Sequence, residues 1–144
     1  MKSARKGDYS LWQNFLLLLG RVLIGWIYVE SGWRKLMGMD AFIASLVRRN
    51  VPQATFWGWI GAPLEFLGAL ALLLGAWTRT AALAILLFTI VATLIGHRYW
   101  EIAEPAARRM QHSHFFKNLA MMGGILLLVV TGGGRFSVDG WRRR

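Results

Sequence analysis

Residues 56–77, FWGWIGAPLEFLGALALLLGAW, carry a single charged side chain, Glu65. A hydrocarbon core about 30 Å thick takes roughly 20 mostly apolar residues as helix, so this stretch reads as a membrane span. Trp57 and Trp59 open it and Trp77 closes it, at the headgroup level that indole rings prefer. Gly58, Gly61, Ala62, Gly68, Ala69, Gly75 and Ala76 recur at helical spacing along it. Small residues let helix backbones approach closely in lipid, so this face turns to the bundle and takes Glu65 with it. Pro63, one turn inside, lacks a backbone donor; it frees the Trp59 carbonyl and is expected to bend the helix.

Three more blocks share this character: about Leu11–Trp33, Thr80–Gly96 and Phe115–Thr131. Of the 144 residues, 56% are hydrophobic and 17% charged, and the net charge is +10. Nucleic-acid binders spread such charge over a polar surface. Here the charges fall between apolar blocks, which excludes that class. The expected fold is all-α, a single domain of four transmembrane helices. Cysteine is absent, which removes disulfides, thiolate nucleophiles, iron–sulfur ligation and cysteine zinc sites.

Lys2, Arg5 and Lys6 before the first block resemble a secretory signal peptide, but no small-residue cleavage site follows. The first block therefore reads as a retained span. Four spans place both termini on one side. With the termini in the cytoplasm, Lys2, Arg5, Lys6, Arg79, Arg135, Arg142, Arg143 and Arg144 lie inside, and Arg34, Lys35, Arg48, Arg49, Arg98, Arg108 and Arg109 outside. The basic first tail and the closing arginines favour that orientation. Between spans one and two, Phe42, Ile43, Leu46 and Val47 give residues 40–50 one apolar face, with Asp40 at the start. They predict a short amphipathic helix in the interface.

Arg21 and Glu65 each lie near the middle of a span, and Arg21 shares a stripe with Gly25, Tyr28, Gly32 and Lys35. A lone charge at the bilayer centre costs at least about 2.5–3.5 kcal/mol, so the sequence predicts an Arg21–Glu65 ion pair. A second polar group, Glu30, Ser31, His97, Lys117 and Asn118, collects near the outer ends, where Glu30 and Lys117 fall at similar depth. Thr89, Thr93 and His97 follow one another at four-residue spacing. Arg21, Glu65, Glu30, His97, Lys117 and Asn118 are the candidate ligand-binding residues. His112 and His114 stand at i and i+2, which a helix does not converge, and no histidine lies mid-span for a haem; no metal site is expected.

Taken in order, Arg21-Val-Leu-Ile-Gly25, Glu30-Ser-Gly-Trp-Arg-Lys-Leu36, Val51-Pro52 and Gly61-Ala-Pro-Leu-Glu65-Phe-Leu-Gly68 resemble the DoxX family of small four-span bacterial membrane proteins. Leu74-Gly-Ala-Trp-Thr-Arg79, His97-Arg-Tyr-Trp100, Phe116-Lys-Asn-Leu-Ala120, Gly123-Gly124, Gly132-Gly-Gly134 and Phe136-Ser-Val-Asp139 continue the likeness. It covers about Asn14 to Asp139 and implies a multi-pass protein of the bacterial inner membrane. Arg21, Lys35, Glu65, Arg79, Lys117 and Asn118 match the family's polar positions; the family supplies no agreed catalytic set. Relatives resemble subunits of membrane oxidoreductases acting on thiosulfate and quinone. The resemblance thus implies a redox-linked membrane subunit, with quinone as its non-covalent ligand and electrons from a partner subunit. A non-catalytic scaffold is the alternative, and a small transporter a weaker one, since only Pro63 hints at a broken helix. Its surroundings are the lipid bilayer, and a homo-oligomer is left open.

Overall fold

A computed structural model describes residues 9–143; Lys2, Arg5, Lys6 and Arg144, which entered the orientation argument, lie outside them. The helices are α1 (Leu11–Met37), α2 (Met39–Arg48), α3 (Ala54–Leu74), α4 (Thr78–Gly96), α5 (Pro105–Thr131) and α6 (Val138–Trp141), with a 3-10 turn at Tyr99–Glu101. The four long helices are each apolar enough to cross a membrane. The fold is the expected all-α four-span bundle, with the amphipathic helix α2 between the first two spans.

Local signals set the ends. Ser10 and Gln13 cap α1 reciprocally: Gln13 N–H donates to Ser10 Oγ at 3.2 Å, and Ser10 N–H to Gln13 Oε1 at 2.8 Å. The second span, α3, stops at Leu74, short of Trp77, because Gly75 turns left-handed with φ 73°. The fourth span, α5, begins ten residues before its apolar block, at Pro105. Its signal is Glu104-Pro105: the Glu104 carboxylate accepts from the Ala106 and Ala107 amides, and proline at the first helical position loses no hydrogen bond. These two hydrogen bonds hold the Glu104 carboxyl below its ordinary range.

Each span packs on the next in sequence, α1 on α3, α3 on α4 and α4 on α5; α5 closes the ring on α1, and α2 lies across α3. Tyr28, Ala69, Leu72, Ala82, Ile85 and Ile125 lie in the core. The small-residue stripes face inward as expected. A Cβ on Gly32 would come within 2.8 Å of Phe66 Cα, and one on Gly25 within 3.0 Å of Leu73 Cβ. These two approaches fix the antiparallel register of α1 and α3. Gly58 makes the equivalent seat for Ile43 of α2, with a Cβ position 2.7 Å from Ile43 Cγ1.

That register overturns the Arg21–Glu65 pair. Gly32 sits opposite Phe66, so Glu65 is level with the last turns of α1, whereas Arg21 is level with the end of α3. Glu65 lies about twelve residues further along α1 than Arg21, or ~18 Å at 1.5 Å per residue. Centring both apolar blocks on one plane misses this, because α1 runs past the end of α3 and packs on the segment after α5. The Glu30–Lys117 pairing fails as well: Glu30 is exposed and bridges to Arg34, one turn away, at 3.0 Å.

Candidate functional site

Glu65, 2% exposed, is paired with Lys35 across α3 and α1, the one ion pair between different helices among the described residues. Both lie on the small-residue faces that bring these helices together. Lys35 Nζ donates to Glu65 Oε2. An ammonium has three donors. Besides Glu65, it faces the rings of Phe42 at 5.4 Å and Phe88 at 5.2 Å, contacts of cation–π type. Phe42 comes from α2 and Phe88 from α4, so four helices converge on one ammonium group. Glu65 Oε1 takes no donor from the described residues, yet no fully buried side-chain oxygen there lacks a partner. Oε1 therefore keeps a little open surface.

A second polar contact lies beneath this pair in the bundle. Thr89 Oγ1 donates to the Ile85 carbonyl at 2.6 Å, which uses its one hydrogen. Tyr28 must then donate to Thr89 Oγ1, at 2.7 Å. Thr93 accepts from Asn118 Nδ2 at 2.9 Å, which ties α4 to α5. Above them His97 Nδ1–H donates to Gln111 Oε1 at 2.7 Å, and its ring stacks on His114 with centroids 5.4 Å apart. Lys117 is exposed and donates to His114 Nδ1 at 3.3 Å. The outer group thus divides: His97 and Asn118 join the α4–α5 seam, Lys117 stays exposed on α5 beside His114, and Glu30 lies outside the seam. No three His, Asp or Glu side chains converge on a point among the described residues.

Arg21 serves the opposite end. Although 2% exposed, it meets no carboxylate there; its guanidinium donates to three carbonyls, Leu73 at 3.1 Å, Gly133 at 2.6 Å and Phe136 at 2.7 Å. The first is an orphan carbonyl at the end of α3, and the others belong to the segment after α5. Around it Asn14 Oδ1 accepts from Arg135 N–H at 2.5 Å and Ser137 Oγ donates to the Gly134 carbonyl at 2.6 Å. Gly75 and Gly133 are required here: a Cβ on Gly75 would collide with Ser137 Cβ, and one on Gly133 would lie 2.6 Å from Thr78 Oγ1.

Asp139 completes this end. Its carboxylate accepts from Trp77 N–H at 2.8 Å, Thr78 N–H at 2.7 Å and Thr78 Oγ1–H at 2.8 Å. A residue 61 positions away thereby caps the start of α4, and Trp77 keeps a left-handed φ of 45°. Partial burial pushes the Asp139 carboxyl up, but the bonds from Thr78 and Trp77, with Arg143 nearby, outweigh it and hold it below its ordinary value. A depressed carboxyl contributes stability above its unfolded pKa and loses it as pH falls through the folded one. Thermal unfolding in mild detergent should therefore show this contribution fading below about pH 4. Asp139→Asn should cost about 1 kcal/mol at neutral pH and flatten that acid limb; an unchanged limb refutes the assignment.

The comparisons with known proteins agree with this architecture. The DoxX family model matches residues 16–98, which take in Arg21, Lys35, Glu65 and His97. Inner membrane protein YphA of Escherichia coli (strain K12) is 30% identical over 139 residues, 96% of this chain and 99% of that protein. Inner membrane protein YqjF of the same strain is 35% identical over 123 residues, 85% of this chain and 88% of that protein. No solved structure matches. With four apolar spans, an inward polar stripe and this likeness along nearly its whole length, the chain belongs to the DoxX family and is a multi-pass inner-membrane protein.

Proposed function

We propose that the Lys35–Glu65 pair binds a quinone-like carbonyl compound, and that the chain is the membrane subunit of a redox-linked system whose electrons come from a partner protein. One observation carries this reading. The Lys35 ammonium holds a single carboxylate oxygen and otherwise faces two aromatic rings, while the second carboxylate oxygen takes no donor among the described residues. A carbonyl oxygen is a better acceptor than a ring face, and Phe42 and Phe88 offer apolar walls to a planar ligand. Glu65 is placed to hold or pass a proton at Oε1. When bound, the quinone supplies the redox chemistry, and the protein supplies position, a hydrogen bond and a dry surround.

The test is mass spectrometry of an organic extract from protein purified in mild detergent, comparing wild type with the charge-free double variant Lys35→Met/Glu65→Gln. About one quinone per chain in wild type and none in a folded double variant is the expected result. No enriched quinone in wild type, or equal amounts in both, overturns it. The second reading, a non-catalytic scaffold, is favoured by the complete pairing of buried polar side-chain atoms among the described residues. Under it the double variant would still recover its protein partner from detergent extracts as wild type does.

A further inference from the structure

The charges of this protein are sorted between its two ends. Glu30, Glu65 and Glu101 pair with Arg34, Lys35 and Arg98 at the end that carries α2. Asp40 and Glu104, at the starts of α2 and α5, lie at that end too. At the other end the described charged groups besides Arg21 are Arg79, Arg135, Arg142, Arg143 and Asp139. The Asp139 carboxylate is taken by the start of α4, and the Arg21 guanidinium by carbonyls. Arg142 lies over the Trp77 ring at 4.8 Å. None of these four arginines has a carboxylate within ion-pair distance among the described residues.

Beside them lies an open depression of about 400 Å³, lined by Leu74, Arg135, Phe136, Ser137, Val138 and Trp141. Its walls are apolar except at Ser137 and Arg135. Leu74, at the end of α3, and Trp141, on α6, are themselves exposed apolar side chains. Trp77 and Trp141, both largely exposed, mark this level as the membrane–water boundary. A protein or nucleic-acid partner would approach from water. Apolar walls at this boundary suit an acyl chain, and Arg135, Arg142 and Arg143 beside them suit a headgroup phosphate.

We propose that this depression is a binding site for one anionic phospholipid, with Arg135 on the phosphate, Arg142 and Arg143 adding attraction, and the upper acyl chain against Leu74, Phe136 and Trp141. It is separate from the Lys35–Glu65 site and independent of the ligand there. The bound lipid covers the segment that Arg21 and Asp139 hold in place.

The experiment is native mass spectrometry of delipidated full-length protein, titrated with phosphatidylglycerol or phosphatidylcholine of identical chains. Wild type is expected to prefer phosphatidylglycerol by on the order of ten-fold or more, given what each basic side chain near an anionic surface contributes. Arg135→Gln/Arg142→Gln should abolish the preference, and Arg108→Gln/Arg109→Gln, which removes the same charge at the other end, should keep it. Equal retention of the two lipids by wild type overturns the proposal even if no variant folds. So does a preference that survives the first double variant, or one lost equally in both.

Discussion

Lys35→Met is expected to lower the stability of the bundle by about 3–5 kcal/mol, the cost of leaving a buried charge without its partner. The effect is large because Glu65 is 2% exposed and Lys35 Nζ is its one side-chain donor among the described residues. Glu65→Gln added to Lys35→Met should return most of that loss, since a neutral amide no longer needs a counter-charge. Replacing both partners of a buried pair is often close to neutral, and the asymmetry between single and double variants is the signature. The measurement is the thermal unfolding midpoint in mild detergent for wild type, both single variants and the double. If the double variant is as weak as the sum of the singles, the two side chains are not coupled and the site described here does not exist.

Arg21→Met should cost at least about 4 kcal/mol, because hydrogen bonds from charged donors contribute roughly 1.5–3 kcal/mol each and three carbonyls lose theirs together. The loss will be local before it is global. Hydrogen exchange should accelerate across residues 132–141, and trypsin should gain access to the bond after Arg135, while the α1–α3 contact at Gly32 stays protected. Arg21→Lys will not rescue: one ammonium cannot reach three carbonyls fixed by a planar fork. Combining Arg21→Gln with Glu65→Gln should give additive losses within about 0.5 kcal/mol, as expected of groups ~18 Å apart. A coupling above that figure would restore the pairing read from the sequence.

The spans were legible because apolar length is a property of the chain itself. The faces were legible too: Gly25, Gly32, Gly58 and Ala62 repeat at helical spacing, and all are buried. Glu65 was rightly placed on the inner face. Its partner was not, because the register between two antiparallel helices is decided where glycines let backbones touch. The centres of the apolar blocks do not report it. Lys35 stood on the same stripe as Arg21 in the sequence, but its place at the end of the block read as a boundary residue. Phe42 and Phe88 carry no chemical signal of their own; only the approach of α2 and α4 makes them walls. The clasp formed by Asn14, Arg21, Thr78, Ser137 and Asp139 was illegible for a related reason. Its long-range hydrogen bonds join residues 52 to 121 positions apart, and nothing local to Asp139 announces that it caps another helix.

That clasp also sets an order on biogenesis. Asp139, Ser137 and the carbonyls of Gly133 and Phe136 follow all four spans in the chain, so a ribosome delivers them after the helices they join. Until then the turn at Gly75–Trp77 has no cap, and the Arg21 guanidinium has only the Leu73 carbonyl. The insertion machinery must hold three or four provisional helices, one bearing an unsatisfied cation, until residues 133–139 arrive. A chain interrupted anywhere before Gly132 would present quality-control proteases with an exposed arginine and an unfinished helix start. The clasp therefore closes only after the fourth span has been made, on residues 133–139 that follow it.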